Sequence, residues 1–129
     1  MNKQELLKKL IQTNLLSLAF IGDSVHTLFV REKVLENSQG KMQNYHTLSA
    51  KYCKADTQAK TLEKIKPMLT EEENEIVRRA RNAKPKHQAK NASHASYTEA
   101  TSFEALIGFL YLNESQERLN QILQISIED

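Results

Sequence analysis

The chain has 129 residues, 40% of them hydrophobic, and a formal net charge of +2, which is typical of one domain with its own core. Its 3 glycines and 2 prolines are too few for the many turns of a β-sandwich, and the single cysteine, Cys53, excludes both an intrachain disulfide and a zinc site built on several cysteines. We expect an all-α, single-domain protein over residues 1–129, in a reducing compartment such as the cytoplasm.

The N-terminal segment predicts a short amphipathic helix. Residues 3–12 place their leucines and Ile11 on one side of such a helix. The apolar run that follows lies between Glu5 and Asp23, lacks a cleavage pattern of the A-x-A type, and is shorter than the roughly 18 residues that a membrane span needs. We therefore expect a soluble protein without a signal peptide.

A second helix is predicted from Asn14 to about Asn37. Its apolar positions recur at steps of three and four, the period of a helix that faces a core. These positions are Leu15, Leu18, Gly22, Val25 and Phe29. Asp23 lies inside this run, and Gly40 in the polar stretch that follows predicts the end of the helix and a loop.

Four further helices bring the predicted total to about six. A continuous third helix is expected from His46 to Met68 and a fourth over residues 71–82, which begins at the capping box formed by Thr70 and Glu73. Residues 83–96 lack hydrophobic periodicity and predict an exposed loop. A fifth helix is expected over residues 97–112, and Ser115 is expected to cap a sixth.

The charge is distributed unevenly along the chain. No acid occurs between Glu75 and Glu99, a stretch that carries six basic residues. They are Arg78, Arg79, Arg81, Lys84, Lys86 and Lys90. Such a segment is most often a solvated surface, but its position in and beside a predicted loop also suits contact with a polyanion such as RNA.

Two acids lie within helices that are otherwise apolar, Asp23 in LAFIGDSVH and Glu104 in SFEALIGFLYL. Each helix also contains a glycine, Gly22 beside Asp23 and Gly108 one turn after Glu104. Glycine inside a helix costs about 1 kcal/mol relative to alanine, so its presence in both helices needs a reason. Two helices without Cβ atoms at these positions could cross closely and bring the carboxylates together.

Two carboxylates in a partly buried crevice repel each other unless a cation joins them, and oxygen ligands favour Mg²⁺ or Mn²⁺. Such a cation suits phosphodiester hydrolysis, because it activates water and stabilises charge on a phosphate. Either acid could instead be solvated or paired with a basic residue. His26, three residues after Asp23, is a weak candidate ligand, and Cys53 is expected to be a core thiol.

The residues 18–32, LAFIGDSVHTLFVRE, resemble the signature helix of the ribonuclease III family, and residues 97–112, YTEATSFEALIGFLYL, resemble its second acidic helix. Residues 46–60 and 78–84, together with the short chain and the lack of a double-stranded-RNA-binding domain, are similar to the Mini-III branch of that family. By position, Asp23 and Glu104 match the family's metal-binding aspartate and glutamate. Ala19 and Thr101 stand where larger members have two further acids.

The resemblance implies a ribonuclease III-like fold, a homodimer, and magnesium-dependent cleavage of double-stranded RNA, with Mn²⁺ as a possible substitute for Mg²⁺. For the Mini-III branch it implies maturation of the 23S ribosomal RNA precursor, helped by a ribosomal protein that shapes the substrate. Without an added RNA-binding domain, the basic segment is expected to contact the RNA, largely through phosphates. The alternatives are a non-catalytic RNA-binding module with the same fold and a helical protein-interaction domain.

Overall fold

The computed structural model describes residues 1–37, 44–83 and 94–128, and the regular structure within these ranges is helical throughout. The described helices are α1 (Lys3–Thr13), α2 (Ser17–Asn37), α3 (Tyr45–Cys53), α4 (Ala55–Ile65), a 3₁₀ turn (Lys66–Met68), α5 (Glu71–Asn82), α6 (His94–Leu112) and α7 (Gln116–Ile125). The predicted all-α class is confirmed. Within these ranges no helix is both long and apolar enough to cross a membrane.

Helix α6 is the centre of the fold. It packs against α1, α2, α4, α5 and α7. Because it is surrounded, its second half is apolar apart from Glu104 and the hydroxyl of Tyr111, and Phe103, Leu106 and Ile107 are completely buried. Glu104 is therefore carried by the most enclosed helix of the described chain.

Helix α5 begins as the sequence predicts. The Thr70 side chain accepts a hydrogen bond from the Glu73 amide, and the Glu73 carboxylate accepts one from the Thr70 amide. Glu73 is also buried against Arg118 of α7, whose guanidinium lies 2.7 Å from the carboxylate and also donates to the carbonyl of Met68. One capping acid thus also joins α5 to α7.

The prediction of one continuous helix over residues 46–68 is wrong, because the chain bends at Lys54. Lys54 has an extended backbone, with φ −69° and ψ 154°, and both ends α3 and begins α4. The break leaves the carbonyl of Lys51 without its helical hydrogen bond, and the hydroxyl of Thr57 donates to this carbonyl instead. The sequence has neither glycine nor proline here, so it contains no ordinary signal for this bend.

Other boundaries differ less. Helix α2 begins at Ser17 and not at Asn14, and α6 begins at His94, three residues before the predicted start. Ser115 precedes α7 as expected, but its hydroxyl accepts from the Asn113 side chain and makes no cap hydrogen bond. Seven described α-helices therefore replace the predicted six. Gly40 and most of the loop predicted over residues 83–96 lie outside the described residues.

Candidate metal centre

The glycines mark the point where α2 and α6 cross. A Cβ added to Gly22 would lie 1.7 Å from the carbonyl oxygen of Glu104, and one added to Gly108 would lie 2.0 Å from that of Leu18. Real Cβ atoms do not approach other atoms this closely, so glycine is required in both helices. The predicted close crossing of the two helices is confirmed.

The crossing brings Asp23 and Glu104 into hydrogen-bonding distance of each other. Asp23 is exposed and Glu104 is half-buried. Burial first, and the adjacent Asp23 second, raise the pKa of Glu104 to about 8. Without a cation, the pair therefore holds a proton at neutral pH.

This donor set fits a cation that keeps part of its water shell. Within the described ranges, no group of three or more His, Cys, Asp or Glu side chains could enclose a metal ion. Zn²⁺ sites usually use three or four protein ligands, whereas Mg²⁺ binds through one or two carboxylates and retains several waters. Asp23 and Glu104 could hold Mg²⁺ or Mn²⁺, whose charge would replace the shared proton.

His26 is buried beside this pair and is held by hydrogen bonds within the protein. Its Nε2 lies 3.1 Å from the Ser126 hydroxyl and its Nδ1 lies 3.0 Å from the amide nitrogen of Gln58. Burial lowers the pKa of His26 to about 4 in spite of the nearby Asp23, so the ring is neutral at pH 7. Both ring nitrogens are occupied, which makes His26 a structural residue and not a metal ligand.

Gln58 is a residue that our sequence analysis missed. Its amide nitrogen also lies 3.4 Å from Oε2 of Glu104. A signal did exist, because Gln58 precedes Leu62 by four residues and Ile65 by seven, and so lies on the core face of α4. A polar residue at such a position needs a buried partner.

The residues that replace the family's further acids supply no carboxylate. Ala19 is buried, and the Thr101 hydroxyl donates to the carbonyl of Tyr97 one turn earlier in α6. Cys53 is half-buried, so the expectation of a core thiol was wrong. It lies close enough to Asp23 and Glu104 for their negative charges to affect its thiol. Burial and these acids raise the pKa of its thiol, which argues against a nucleophilic thiolate.

The three arginines of the basic segment have partners within the protein. Arg78 pairs with Glu75 on α5, and Arg81 pairs with Glu99 of α6 at 2.6 Å. Arg79 donates to the carbonyl of Ile11 and so fastens α1 to α5. Lys84, Lys86 and Lys90 lie outside the described residues.

A second basic surface surrounds a groove of about 340 Å³ along α3 and α4. Its lysines are Lys51, Lys54, Lys60 and Lys64, and the Thr57 and Thr61 side chains also line it. Lys54 precedes Gln58 by one helical turn, so this surface begins close to the acidic pair. The bend at Lys54, which the sequence did not predict, gives the groove its shape.

Comparisons with known proteins agree with this arrangement. Residues 16–115 match the Ribonuclease III domain family. The chain is 42% identical over 113 residues to Mini-ribonuclease 3 of Symbiobacterium thermophilum, which spans 88% of this chain and 87% of that protein. It is also 42% identical over 124 residues to Mini-ribonuclease 3 of Brevibacillus brevis. That alignment covers 96% of this chain and 92% of that protein. A crystal structure of a Fusobacterium nucleatum protein is similar with a TM-score of 0.82 at 30% identity, and covers 92% of this chain and 95% of that one.

Proposed function

Because the chain belongs to the ribonuclease III family and is an endoribonuclease, we propose that it cleaves double-stranded RNA in a magnesium-dependent reaction at Asp23 and Glu104. The single observation that carries this proposal is the meeting of the two carboxylates at the Gly22–Gly108 crossing. The relatives are named as ribonucleases, which favours catalysis over the alternatives of an RNA-binding or protein-interaction module. We treat residues 1–129 as one catalytic domain.

Asp23 and Glu104 have different tasks in this proposal. Asp23 is exposed on α2 and faces the substrate side, while Glu104 is half-buried on α6 and anchors the cation to the core. When bound, the cation would supply Lewis acidity that activates water and stabilises charge on the phosphate. No third acid of the described chain joins Asp23 and Glu104. These two side chains would therefore supply all of the carboxylate ligands of the cation.

The RNA contacts that we propose come from two basic surfaces. The first is the predicted set Arg78, Arg79, Arg81, Lys84, Lys86 and Lys90. Its arginines already have partners, so the lysines carry more of this role. The second is the groove along α3 and α4, whose lysines suit phosphate oxygens. Contacts to phosphates rather than bases agree with the way duplex RNA is usually recognised.

We also propose a homodimer, since a duplex has two strands to cut. Helix α2 supports this proposal, because Phe20, Leu28 and Leu35 are 81%, 61% and 57% exposed. At 100° per residue they lie within about 80° of one another on the helix, next to Asp23. Pairing two copies through this apolar face would bury the face and place the Asp23 of each copy beside the interface.

The substrate that we propose is the precursor of 23S ribosomal RNA, in the cytoplasm, with a ribosomal protein shaping the RNA. The similarity to proteins named Mini-ribonuclease 3 supports this choice through the Mini-III resemblance. A chain with two modest basic surfaces depends on the shape of its RNA for selectivity, which is consistent with a helper that shapes the substrate.

Cleavage of a long RNA duplex and of a transcribed 23S precursor, each with Mg²⁺ or with EDTA, tests the proposed function. We expect cleavage only with the metal, and Asp23→Asn or Glu104→Gln to lower the rate by about 100-fold or more without loss of RNA binding. Asp56→Asn and Glu117→Gln make the same exchanges at exposed acids of α4 and α7, and should cut normally. Undiminished cutting by both site variants would overturn the mechanism, and binding without cutting by the wild type would favour the non-catalytic alternative.

A further inference from the structure

A line of hydrogen bonds runs from the buried end of α7 to the acidic pair. The Ser126 hydroxyl lies 2.6 Å from the carbonyl of Leu123, His26 lies between Ser126 and Gln58, and Gln58 reaches Glu104. Ser126, His26 and Gln58 are at most 3% exposed. A connected set of buried hydrogen bonds usually holds its members in one geometry. Here the residue at the end of the set is Glu104.

The direction of each hydrogen bond in this line can be assigned. A carbonyl oxygen only accepts, so the Ser126 hydroxyl donates its single proton to the carbonyl of Leu123. The hydroxyl must then accept from His26, which places the proton of the neutral ring on Nε2 and leaves Nδ1 as an acceptor. Nδ1 in turn requires a donor, and the amide nitrogen of Gln58 is the atom that faces it.

This pattern also fixes the orientation of the Gln58 amide. Its NH₂ group has two protons, one for Nδ1 of His26 and one for Oε2 of Glu104. In the reversed amide, Oε1 would face two acceptors, the ring nitrogen and the carboxylate. Gln58 is therefore held as a donor toward Glu104 by His26 and Ser126, which are not ligands of the cation in the proposed function.

We propose that Gln58 is a positioning residue of the nuclease centre, which holds Oε2 of Glu104 so that the carboxylate stays turned toward Asp23 for cation binding. This role rests on the proposed function. A neutral amide suits it better than a lysine or arginine, because it orients the carboxylate and leaves its negative charge for the cation. Partners of this kind commonly change metal affinity by 10-fold to 100-fold when removed.

Direct titration of the metal-free protein with Mn²⁺, followed by calorimetry or by the electron paramagnetic resonance of free Mn²⁺, tests the proposal. We expect Gln58→Leu to raise the Kd for Mn²⁺ about tenfold. The Mg²⁺ concentration for half-maximal cleavage should rise by a similar factor, while duplex binding changes less than about twofold. Gln116→Leu is the matched control, because it makes the same exchange at an exposed position of α7, where Gln116 donates only within its own helix, to the Asn120 side chain.

Two further variants separate the possible failures. Gln58→Asn keeps an amide but retracts it by one methylene, and should show the same shift if Gln58→Leu does not fold. Asp23→Asn should lose Mn²⁺ binding altogether. Unchanged Mn²⁺ affinity in folded Gln58 variants, or an equal loss in Gln116→Leu, would overturn the positioning role alone, whereas unchanged affinity in Asp23→Asn would overturn the proposed metal site itself.

Discussion

At the scale of single residues, the acidic pair has opposite surroundings on its two sides. Asp23 faces solvent, and Glu104 faces Gln58 and the core. Both acids could be chosen from the sequence because an acid inside an apolar helix is unusual. Gln58, His26 and Ser126 could not be connected in the same way, since their contacts join residues between 32 and 100 positions apart along the chain.

The raised pKa of Glu104 predicts a pH-dependent stability in the absence of metal. Its pKa is about 8 in the folded protein, against an ordinary 4.5, so between these values the folded chain holds a proton that the unfolded chain has released. The free energy of unfolding therefore falls as the pH rises through this range. His26, lowered from 6.5 to about 4, acts in the opposite direction and removes stability as the pH falls below about 6.5.

The window from about pH 6.5 to pH 8 therefore isolates Glu104. In EDTA, we expect the Tm of the wild type to fall across this window and that of Glu104→Gln to change much less, because the amide has no proton to release. Thermal unfolding followed by circular dichroism measures both. An equal slope in the two proteins would mean that Glu104 carries no raised pKa.

At the scale of helices, the prediction from sequence worked where a residue has a strong local effect. The capping box of Thr70 and Glu73 and the glycines of α2 and α6 each have a physical role that the sequence alone reveals. The bend at Lys54 does not, because an extended lysine between two helices is stabilised by its surroundings and not by its own preference. That bend sets the direction of α4, and so of Gln58 and the lysine groove.

The crossing of α2 and α6 predicts a large effect of a small substitution. In Gly22→Ala, the new Cβ would collide with the backbone of α6, which cannot move as a flexible side chain does. We expect a loss of about 3 kcal/mol of unfolding free energy in urea and a parallel loss of Mn²⁺ binding. Glu32→Ala, at an exposed position of α2, should change stability by less than about 0.5 kcal/mol. A Gly22→Ala protein as stable as this control would contradict the close crossing.

At the scale of the whole molecule, the described chain places three surface features around one helix pair. The acidic pair lies where α2 and α6 cross, the neighbouring face of α2 is apolar and exposed, and α4 carries lysines outward and Gln58 inward. The sequence predicted the acidic pair and a basic segment, but not which face of α2 is exposed. Exposure depends on the position of α6, which periodicity along α2 does not give.

The apolar face of α2 predicts dimer dissociation by a single charge. Phe20→Glu would place a carboxylate in the proposed interface, so we expect sedimentation equilibrium to show a monomer for this variant and a dimer for the wild type. Gln121→Glu adds the same charge at an exposed position of α7 beside Arg118 and should remain dimeric. If Phe20→Glu associates as tightly as the wild type, the dimer does not form through this face.

The central claim is that Asp23 and Glu104 share a divalent cation across the helix crossing. A crystal structure of the protein with Mn²⁺, using anomalous scattering to locate the metal, tests it most directly. We predict a peak within about 2.3 Å of an oxygen of each carboxylate, with Gln58 still donating to the other oxygen of Glu104, and no such peak in Asp23→Asn. Anomalous density elsewhere, or none between these carboxylates at a Mn²⁺ concentration that supports cleavage, would contradict the claim.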